Sequence, residues 1–161
     1  MPSTAAGLLL YRSAGDEVKL LLAHMGGPFW ARRDQHAWSI IKGEYDAGTE
    51  EPLDAARREF TEETGHPAPE GELIPLGSVE QSGGKQVTAW AVQSDLDPAT
   101  IVSNTFLAEW PPRSGRQEAF PEIDRAEWCD PDLARDRLIK AQVAFVERLL
   151  THLAARRESG A

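Results

Sequence analysis

The sequence predicts an α/β (α+β) domain in which helices cover both faces of a mixed sheet, as an α/β/α sandwich. Two observations predict this class. Short apolar runs bounded by turn residues recur along the chain and are typical of strands. Apolar residues at helical spacing mark one helix before the middle of the chain and further helices at its C-terminal end. Such elements form layers because each must bury its apolar face against another. The length favours one domain over residues 1–161.

The composition narrows the protein classes that remain. With 41% hydrophobic and 27% charged residues, the chain is typical of a globular protein. Its 26 acidic and 17 basic residues give a net charge of −9, which disfavours duplex nucleic acid and anionic membranes as partners. Cys129 is the single cysteine, which excludes an intramolecular disulfide and favours a reducing compartment. The N-terminus has no basic region before its apolar run, which is unlike a signal peptide, and the run ends far short of a membrane span. We therefore expect a cytoplasmic protein.

The N-terminal region is predicted to form a β-hairpin followed by a third short strand. Residues 5–11 and 18–24 are apolar runs separated by turn-forming residues. A loop rich in glycine and arginine, residues 26–35, leads to a strand at 38–41. A second loop, which contains Gly48, follows.

The strongest helical signal covers residues 51–64. Its apolar positions recur as in an amphipathic helix, and its ends carry residues that favour helix start and termination. In chain order these signals are Thr49 as N-cap, Pro52 in the first turn, Leu53, Ala56 and Phe60 on the apolar face, and Gly65 as terminator.

The second half of the chain is predicted to supply four more strands and the C-terminal helices. The strands are expected at residues 73–80, 86–92, 105–110 and 126–129. Within the second of these, Val87, Ala89 and Ala91 should face one side of the sheet, and Thr88, Trp90 and Val92 the other. From Asp132 onward the spacing is helical, with a break near Lys140 and fraying over residues 155–161.

Three glutamates on the predicted helix form the most informative feature. At about 100° per residue, Glu59, Glu62 and Glu63 fall within one arc of roughly 100° beside the apolar stripe. Like charges at this spacing repel unless a cation neutralises them. Carboxylate oxygens select a hard ion, so Mg²⁺ suits the pattern, with Mn²⁺ as a substitute. Spacing alone leaves an alternative, a solvated helix face paired to Arg57 and Arg58.

Residues 43–66, GEYDAGTEEPLDAARREFTEETGH, closely resemble the Nudix box GX5EX7REUXEEXGU, in which U is a bulky apolar residue. Six residues instead of five separate Gly43 from Glu50, which adds one residue to the loop near Thr49. His66 replaces an aliphatic residue, and Ile41 stands where relatives often have proline. The helical half is intact, so we expect a shifted loop and a retained metal site. The order of elements also resembles that of the Nudix fold. Residues near the third predicted strand are similar to those of a bacterial subgroup of this family.

The resemblance implies roles for the charged residues of the helix. Glu59 and Glu63 are the expected metal ligands, and Glu62 is expected to be a third ligand or a proton acceptor. Arg58 would orient a catalytic glutamate. Its alternative role is an ordinary surface pair with Asp54 or Glu62.

Residues next to the helix complete the expected metal site. By the resemblance, Lys42 would contribute only its backbone carbonyl, and Gly43 would let the backbone and the metal approach closely. Many Nudix enzymes add a glutamate from a loop before a late strand. Glu122 occupies such a position, and Glu118 is the alternative.

Basic and aromatic residues elsewhere are candidates for substrate binding. Arg32, Arg33 and Lys85 could hold phosphates, or could simply favour solubility. Trp30, Trp38 and Trp90 could stack on a nucleobase, although a strand tryptophan usually belongs to the core. His24 and His36 show no partner pattern, and Cys129 is expected to be buried.

The predicted function is Mg²⁺-dependent hydrolysis of a nucleoside diphosphate linked to another moiety, by water attack at phosphorus. Nucleoside triphosphates, dinucleoside polyphosphates and nucleotide sugars all remain candidate substrates, because loops outside the box set the choice. The alternatives are a weakly catalytic Nudix-like sensor or scaffold module that binds a nucleotide, and a purely structural acidic domain. Strand edges and residues 110–112 offer surfaces for a homodimer.

Overall fold

A computed structural model describes residues 3–159 and contains one large mixed sheet with helices on both faces. The predicted α/β/α class is therefore confirmed. The nine strands in this part of the chain are β1 (Thr4–Ala14), β2 (Glu17–Met25), β3 (Trp38–Ser39), β4 (Ile41–Tyr45), β5 (Leu73–Glu80), β6 (Gln86–Gln93), β7 (Thr105–Glu109), β8 (Gln117–Pro121) and β9 (Ile123–Cys129). The α-helices are α1 (Pro52–Thr64), α2 (Pro131–Arg137) and α3 (Val143–Glu158).

The strand β1 organises the sheet. Along one edge it pairs in parallel with β6, and β5 lies antiparallel outside β6. Along its other edge β1 pairs with β4 over residues 4–8 and with β2 over residues 11–14. The outer edge of β2 pairs with β9, and residues 23–24 of β2 pair with β3 along the same edge that residues 17–20 use to pair with β1. Because β4 takes the place of β2 beside the first half of β1, β4 packs against α1, and the end of β2 reaches the cavity that Glu63 of α1 lines.

The alternation of side chains along β1 and β6 creates two cores. Leu9 faces the layer of α3, where Phe145 is buried, and Leu8 faces α1, where Phe60 is buried. In β6 the predicted split is confirmed. Val87, Ala89 and Ala91 belong to the α3 side, and Trp90 and Val92 to the α1 side. Both faces of the sheet are therefore covered by an apolar layer. This explains why the strand sequences are continuous apolar runs.

The start of α1 differs from the prediction in one detail. Glu51, and not Thr49, is the N-cap residue, and its side chain forms no capping hydrogen bond. Thr49 instead belongs to the preceding turn, where its hydroxyl donates to the Asp46 carbonyl over 3.3 Å. Pro52 occupies the first turn, and Gly65 ends the helix with a left-handed φ of 75°. Both of these predictions are confirmed.

The C-terminal region contains the predicted break. The helix α2 is capped by Asp130, whose carboxylate accepts from the Leu133 N–H over 2.8 Å. A short 3₁₀ turn over Lys140–Gln142 separates α2 from α3. The helix α3 continues to Glu158, and the expected fraying of residues 155–161 stays a prediction. Gly160 and Ala161 lie outside the described residues.

The segment between β6 and β9 forms a hairpin that the sequence predicted only in part. β7 pairs with β8 as a separate two-stranded sheet, with Phe106 opposite Phe120. No strand was predicted at β8, because Gln117–Pro121 has no apolar run. The last strand, β9, begins at Ile123 and not at Ala126. None of the helices in residues 3–159 combines the length and the apolar character that a membrane crossing requires.

Candidate active site

Glu59 lies at the contact between α1 and β4. Its side chain is 7% exposed and rests against the backbone of Gly43. A Cβ atom at position 43 would overlap the Glu59 carboxylate, so any larger residue would force this carboxylate to move. Gly43 thus allows a strand backbone to approach an acidic side chain closely.

Arg58 links three carboxylates beside this contact. Its guanidinium donates to both oxygens of Glu50 over 2.9 Å, to Glu59 over 2.9 Å, and to both oxygens of Glu62 over 3.2 Å. The hydrogen bonds that Arg58 donates to Glu50 are the main reason that the pKa of Arg58 is raised and that of Glu50 is lowered. Arg58 thus contacts Glu62, as one alternative predicted, but also fixes Glu59. Glu50, to which the sequence assigned no role, anchors the arginine by a bidentate pair.

Glu63 is a buried carboxylate among other carboxylates. Burial, followed by the charges of Glu122 and Glu59, raises its pKa to about 8. The side-chain amide of Asn104, oriented with its nitrogen toward Glu63, donates to both carboxylate oxygens over 3.0 and 3.2 Å. Asn104 was missed by the sequence reasoning, because its link to α1 is purely tertiary.

Glu122 joins Glu63 at one cavity of about 180 Å³. It lies between β8 and β9, where its N–H donates to the Asn104 carbonyl over 2.9 Å. Burial is the main cause of the raised pKa of Glu122, and the charge of Lys42 opposes it. The alternative residue, Glu118, is exposed on β8 opposite Ala108 and does not line the cavity. The structure therefore brings Glu122, and not Glu118, to the helix glutamates.

The side chain of Lys42 takes part in the same site. Burial is the main cause of its lowered pKa, and the charge of Lys85 adds to it, whereas Glu44, Glu63 and Glu122 oppose the shift. The Lys42 side chain also lines the cavity, within the field of the buried glutamates, and a role of its backbone carbonyl in metal binding stays a prediction.

The predicted substrate-binding residues divide into two groups. Trp30 lines the cavity, and Lys85 lines an adjacent groove and lies 3.7 Å from Glu44. Neither Arg32 nor Arg33 lines the cavity or that groove in the described part of the chain. The Arg33 guanidinium instead stacks over Phe29, with 4.4 Å between its Cζ and the ring centroid.

The remaining aromatic and polar candidates are buried or half-buried and contact other residues of the fold. Trp38 is fully buried in the core and offers no free stacking face, whereas Trp90 is half-buried and packs on the α1 side of the sheet. His24, also fully buried, lies 2.8 Å from the Asp124 carboxylate through Nδ1 and 2.6 Å from the Arg33 carbonyl through Nε2. His36 contacts the Leu138 carbonyl over 2.8 Å. Cys129 is buried as predicted.

The carboxylate oxygen atoms of the site are of the kind that a hard divalent cation prefers. Glu59, Glu63 and Glu122 offer only oxygen atoms, and each carries a raised pKa, mainly because of burial. Within residues 3–159, however, no three His, Cys, Asp or Glu side chains gather around one point. Arg58 and Asn104 hold Glu59 and Glu63 through hydrogen bonds in this arrangement. The residues therefore fit a cation by their chemistry, and a bound cation would compete with these two neighbours.

Together these features define an α/β/α domain with a cluster of buried carboxylates whose oxygen atoms suit a hard cation by their chemistry. The family model for the NUDIX domain matches residues 1–149, so the chain belongs to the NUDIX domain family.

Curated relatives and solved structures are similar to this chain in sequence and in fold, respectively. The chain is 31% identical over 146 residues to an 8-oxo-(d)GTP phosphatase of Mycolicibacterium smegmatis, a match that covers 83% of this chain and 37% of the relative. It spans 37% and 33% of the lengths of two curated relatives. The fold is similar to a C. elegans Ap4A hydrolase binary complex (TM-score 0.65, 21% identity, 94% of this chain and 98% of that one). It is also similar to the NUDIX domain of Shewanella oneidensis NrtR complexed with ADP ribose (TM-score 0.63, 14% identity, 95% and 89%).

Proposed function

We propose that this domain hydrolyses a diphosphate linkage in a nucleoside diphosphate joined to another moiety, with Mg²⁺ as its metal ion and Mn²⁺ as a substitute. The observation that supports this most is the meeting of Glu63 and Glu122 in one cavity beside Glu59. Buried carboxylates without a neutralising cation are costly, and a divalent ion removes that cost. The names of the M. smegmatis phosphatase and the C. elegans hydrolase agree with a nucleotide substrate.

In this proposal Glu59 and Glu63 hold the metal, with Glu122 and the Lys42 carbonyl as further ligands. When bound, the metal would supply charge neutralisation at the phosphoryl oxygens and a lower pKa for water. Arg58 is a positioning residue, because its bonds to Glu50 and Glu59 fix the direction of the Glu59 carboxylate. Gly43 keeps the space in front of that carboxylate free of side-chain atoms.

The reaction requires one proton acceptor and one leaving group. The oxygen of a water molecule forms a bond to one phosphorus of the diphosphate, while the bond from that phosphorus to the bridging oxygen breaks. The departing phosphate keeps the electron pair of the broken bond, and a carboxylate accepts the proton of the water. Glu62 is the proposed acceptor, because its side chain is 45% exposed and it is held by Arg58 on the same helix.

A substrate panel with matched variants tests this function. GTP, Ap4A and ADP-ribose are incubated with increasing Mg²⁺, and both products are identified for wild type, Glu63→Gln and Glu118→Gln. We expect turnover by the wild type only with the metal, and a loss on the order of 100-fold or more in Glu63→Gln. Glu118→Gln keeps its activity, because Glu118 lies on the exposed hairpin. Carrying out the reaction in ¹⁸O-labelled water identifies the phosphorus that is attacked.

The competing functions give different results in the same experiment. A sensor or scaffold module would bind a nucleotide, but neither the wild type nor the variants would turn it over. A structural domain would bind neither the metal nor a nucleotide. Either result would reject the hydrolase function. A single domain, a cytoplasmic location and a homodimer stay predictions from the sequence.

A further inference from the structure

A second groove adjoins the acidic cavity. It has a volume of about 600 Å³ and lies between the turn before β6, the loop before β3 and the turn before α3. The groove and the cavity share Met25, Trp30 and Lys42 as lining residues. A ligand in the cavity could therefore continue past Trp30 and Lys42 into the groove.

The charge of this groove is opposite to that of the whole chain. The sequence has a net charge of −9 and four lysines, three of which, Lys42, Lys85 and Lys140, line the groove. No acidic residue is among its lining residues in the described part of the chain. Lys85 has one partner nearby, the exposed Glu44 at 3.7 Å. Three like charges in one groove repel one another, so an anion bound among them would be stabilising.

A buried glutamine, Gln142, orients a second glutamine, Gln81, which supplies a neutral hydrogen-bond donor to the groove. Gln142 is fully buried, and its amide nitrogen donates to the side-chain oxygen of Gln81 over 2.7 Å. The Gln142 oxygen accepts from the Ile40 N–H over 2.9 Å, which fixes the orientation of Gln142. Because the Gln81 oxygen is occupied in this way, its NH₂ group is the part left to bind a ligand. The groove thus offers ammonium and amide donors, which suit phosphate oxygens.

We propose that this lysine groove binds a further phosphate of the substrate, beyond the diphosphate that is cleaved. The proposal rests on the proposed hydrolase function and specifies its substrate class. Nucleoside triphosphates and dinucleoside polyphosphates have such a phosphate, whereas ADP-ribose has an uncharged ribose in the corresponding place. The groove therefore favours the first two classes over nucleotide sugars, and Lys140 is a specificity-determining residue.

Kinetics of Lys140 variants test the choice of substrate. Lys140 is exposed, so that Lys140→Ala removes no buried contact. We expect this change to raise the KM for GTP or Ap4A about tenfold, the usual effect of losing one charge-assisted hydrogen bond, and to leave the KM for ADP-ribose within about twofold. Lys140→Arg restores most of the binding. Lys19→Ala changes the one lysine outside the groove and should have no effect. An equal change for all substrates, or none, would overturn the proposal.

A binding measurement separates this proposal from the hydrolase function. Inorganic tripolyphosphate is titrated into the whole protein in EDTA by calorimetry, so that neither turnover nor a metal is needed. Wild type and Lys19→Ala should bind equally, and the double variant Lys85→Ala/Lys140→Ala should bind at least about tenfold more weakly. Equal binding by the double variant refutes the groove even if the enzyme is active. Loss of binding in the double variant supports the groove even if no substrate of the panel is turned over.

Discussion

At the scale of single residues, the site depends on side chains that hold the carboxylates in place. Arg58 donates to Glu50, Glu59 and Glu62 at once, and its contact with Glu50 is bidentate. Such a planar fork cannot be replaced by a lysine, which carries a point charge. The sequence indicated the importance of Arg58 through the box pattern, but the anchoring role of Glu50 depends on how the loop before α1 folds back.

Replacement of Arg58 should separate positioning from stability. Arg58→Lys keeps the charge but loses the bidentate contact with Glu50, so kcat should fall about tenfold or more while KM changes little. The free energy of unfolding should change by less than about 1 kcal/mol, because the arginine is partly exposed. Steady-state kinetics and urea unfolding measure the two effects.

Arg57→Lys is the matched control for this prediction. Arg57 is the neighbouring arginine on α1 and is half-buried like Arg58. Its replacement should leave kcat within about twofold of wild type. A loss in Arg58→Lys that is matched by Arg57→Lys would point to a general effect of replacing an arginine on this helix and would contradict the positioning role.

At the scale of elements, the site is assembled where α1, β4 and the connections around the β7–β8 hairpin meet. The helix could be predicted because its spacing, its proline and its terminal glycine are local signals. The strand β8 could not, because Gln117–Pro121 pairs with β7 without an apolar run of its own. Asn104 lies just before this hairpin, and no local pattern links it to Glu63, which is distant in the sequence.

Asn104 connects two elements to the site through different atoms. Its side-chain amide contacts Glu63 on α1, and its carbonyl accepts from the Glu122 N–H. Asn104→Ala removes only the first contact, so we expect a loss in kcat on the order of tenfold with Glu122 still in place. Asn104→Asp adds a charge beside Glu63 and should lower kcat further at low Mg²⁺, but kcat should recover at high Mg²⁺.

The readout that separates positioning from folding is the affinity for Mn²⁺. Electron paramagnetic resonance of free Mn²⁺ gives this affinity for wild type and for both Asn104 variants. The matched control is Ser103→Ala, a change in the adjacent residue, whose hydroxyl accepts from the Ile123 N–H. If Asn104→Ala and Ser103→Ala weaken Mn²⁺ binding equally, Asn104 only supports the fold of its loop.

At the scale of the whole molecule, the domain has a net charge of −9 but concentrates opposite charges in two neighbouring spaces. Buried glutamates line one of them and lysines the other, with Lys42 on both. The overall α/β/α fold could be predicted from strand and helix periodicity alone. The groove could not, because its lysines lie at positions 42, 85 and 140 and only the folded sheet brings them together.

The buried glutamates should make the stability of the metal-free protein depend on pH. The pKa of Glu63 is raised to about 8 from an ordinary value of 4.5. A carboxyl group with a raised pKa in the folded state contributes stability that is present below about pH 4.5 and is lost as the pH rises toward 8. Glu59 and Glu122 act in the same direction.

Urea unfolding in EDTA between pH 5 and about pH 8.5 measures this effect. We expect Glu63→Gln to reduce the loss of stability toward high pH, by on the order of 1 kcal/mol after solvent screening. Glu118→Gln should show the wild-type slope. Added Mg²⁺ should stabilise the wild type most at the upper end of the range. An identical pH slope in Glu63→Gln would contradict the raised pKa.

The buried contacts of His24 limit how the specificity of this domain can be redesigned. One ring nitrogen contacts Asp124 on β9, and the other contacts the backbone carbonyl of Arg33. The loop that carries Trp30 is thereby joined to the strand that directly follows Glu122. A loop grafted from another protein, whatever its side chains, would have to present a carbonyl oxygen at the place of Arg33. Without it, the buried imidazole would lose a partner, and a change intended only for base recognition would also disturb the strand that begins next to Glu122.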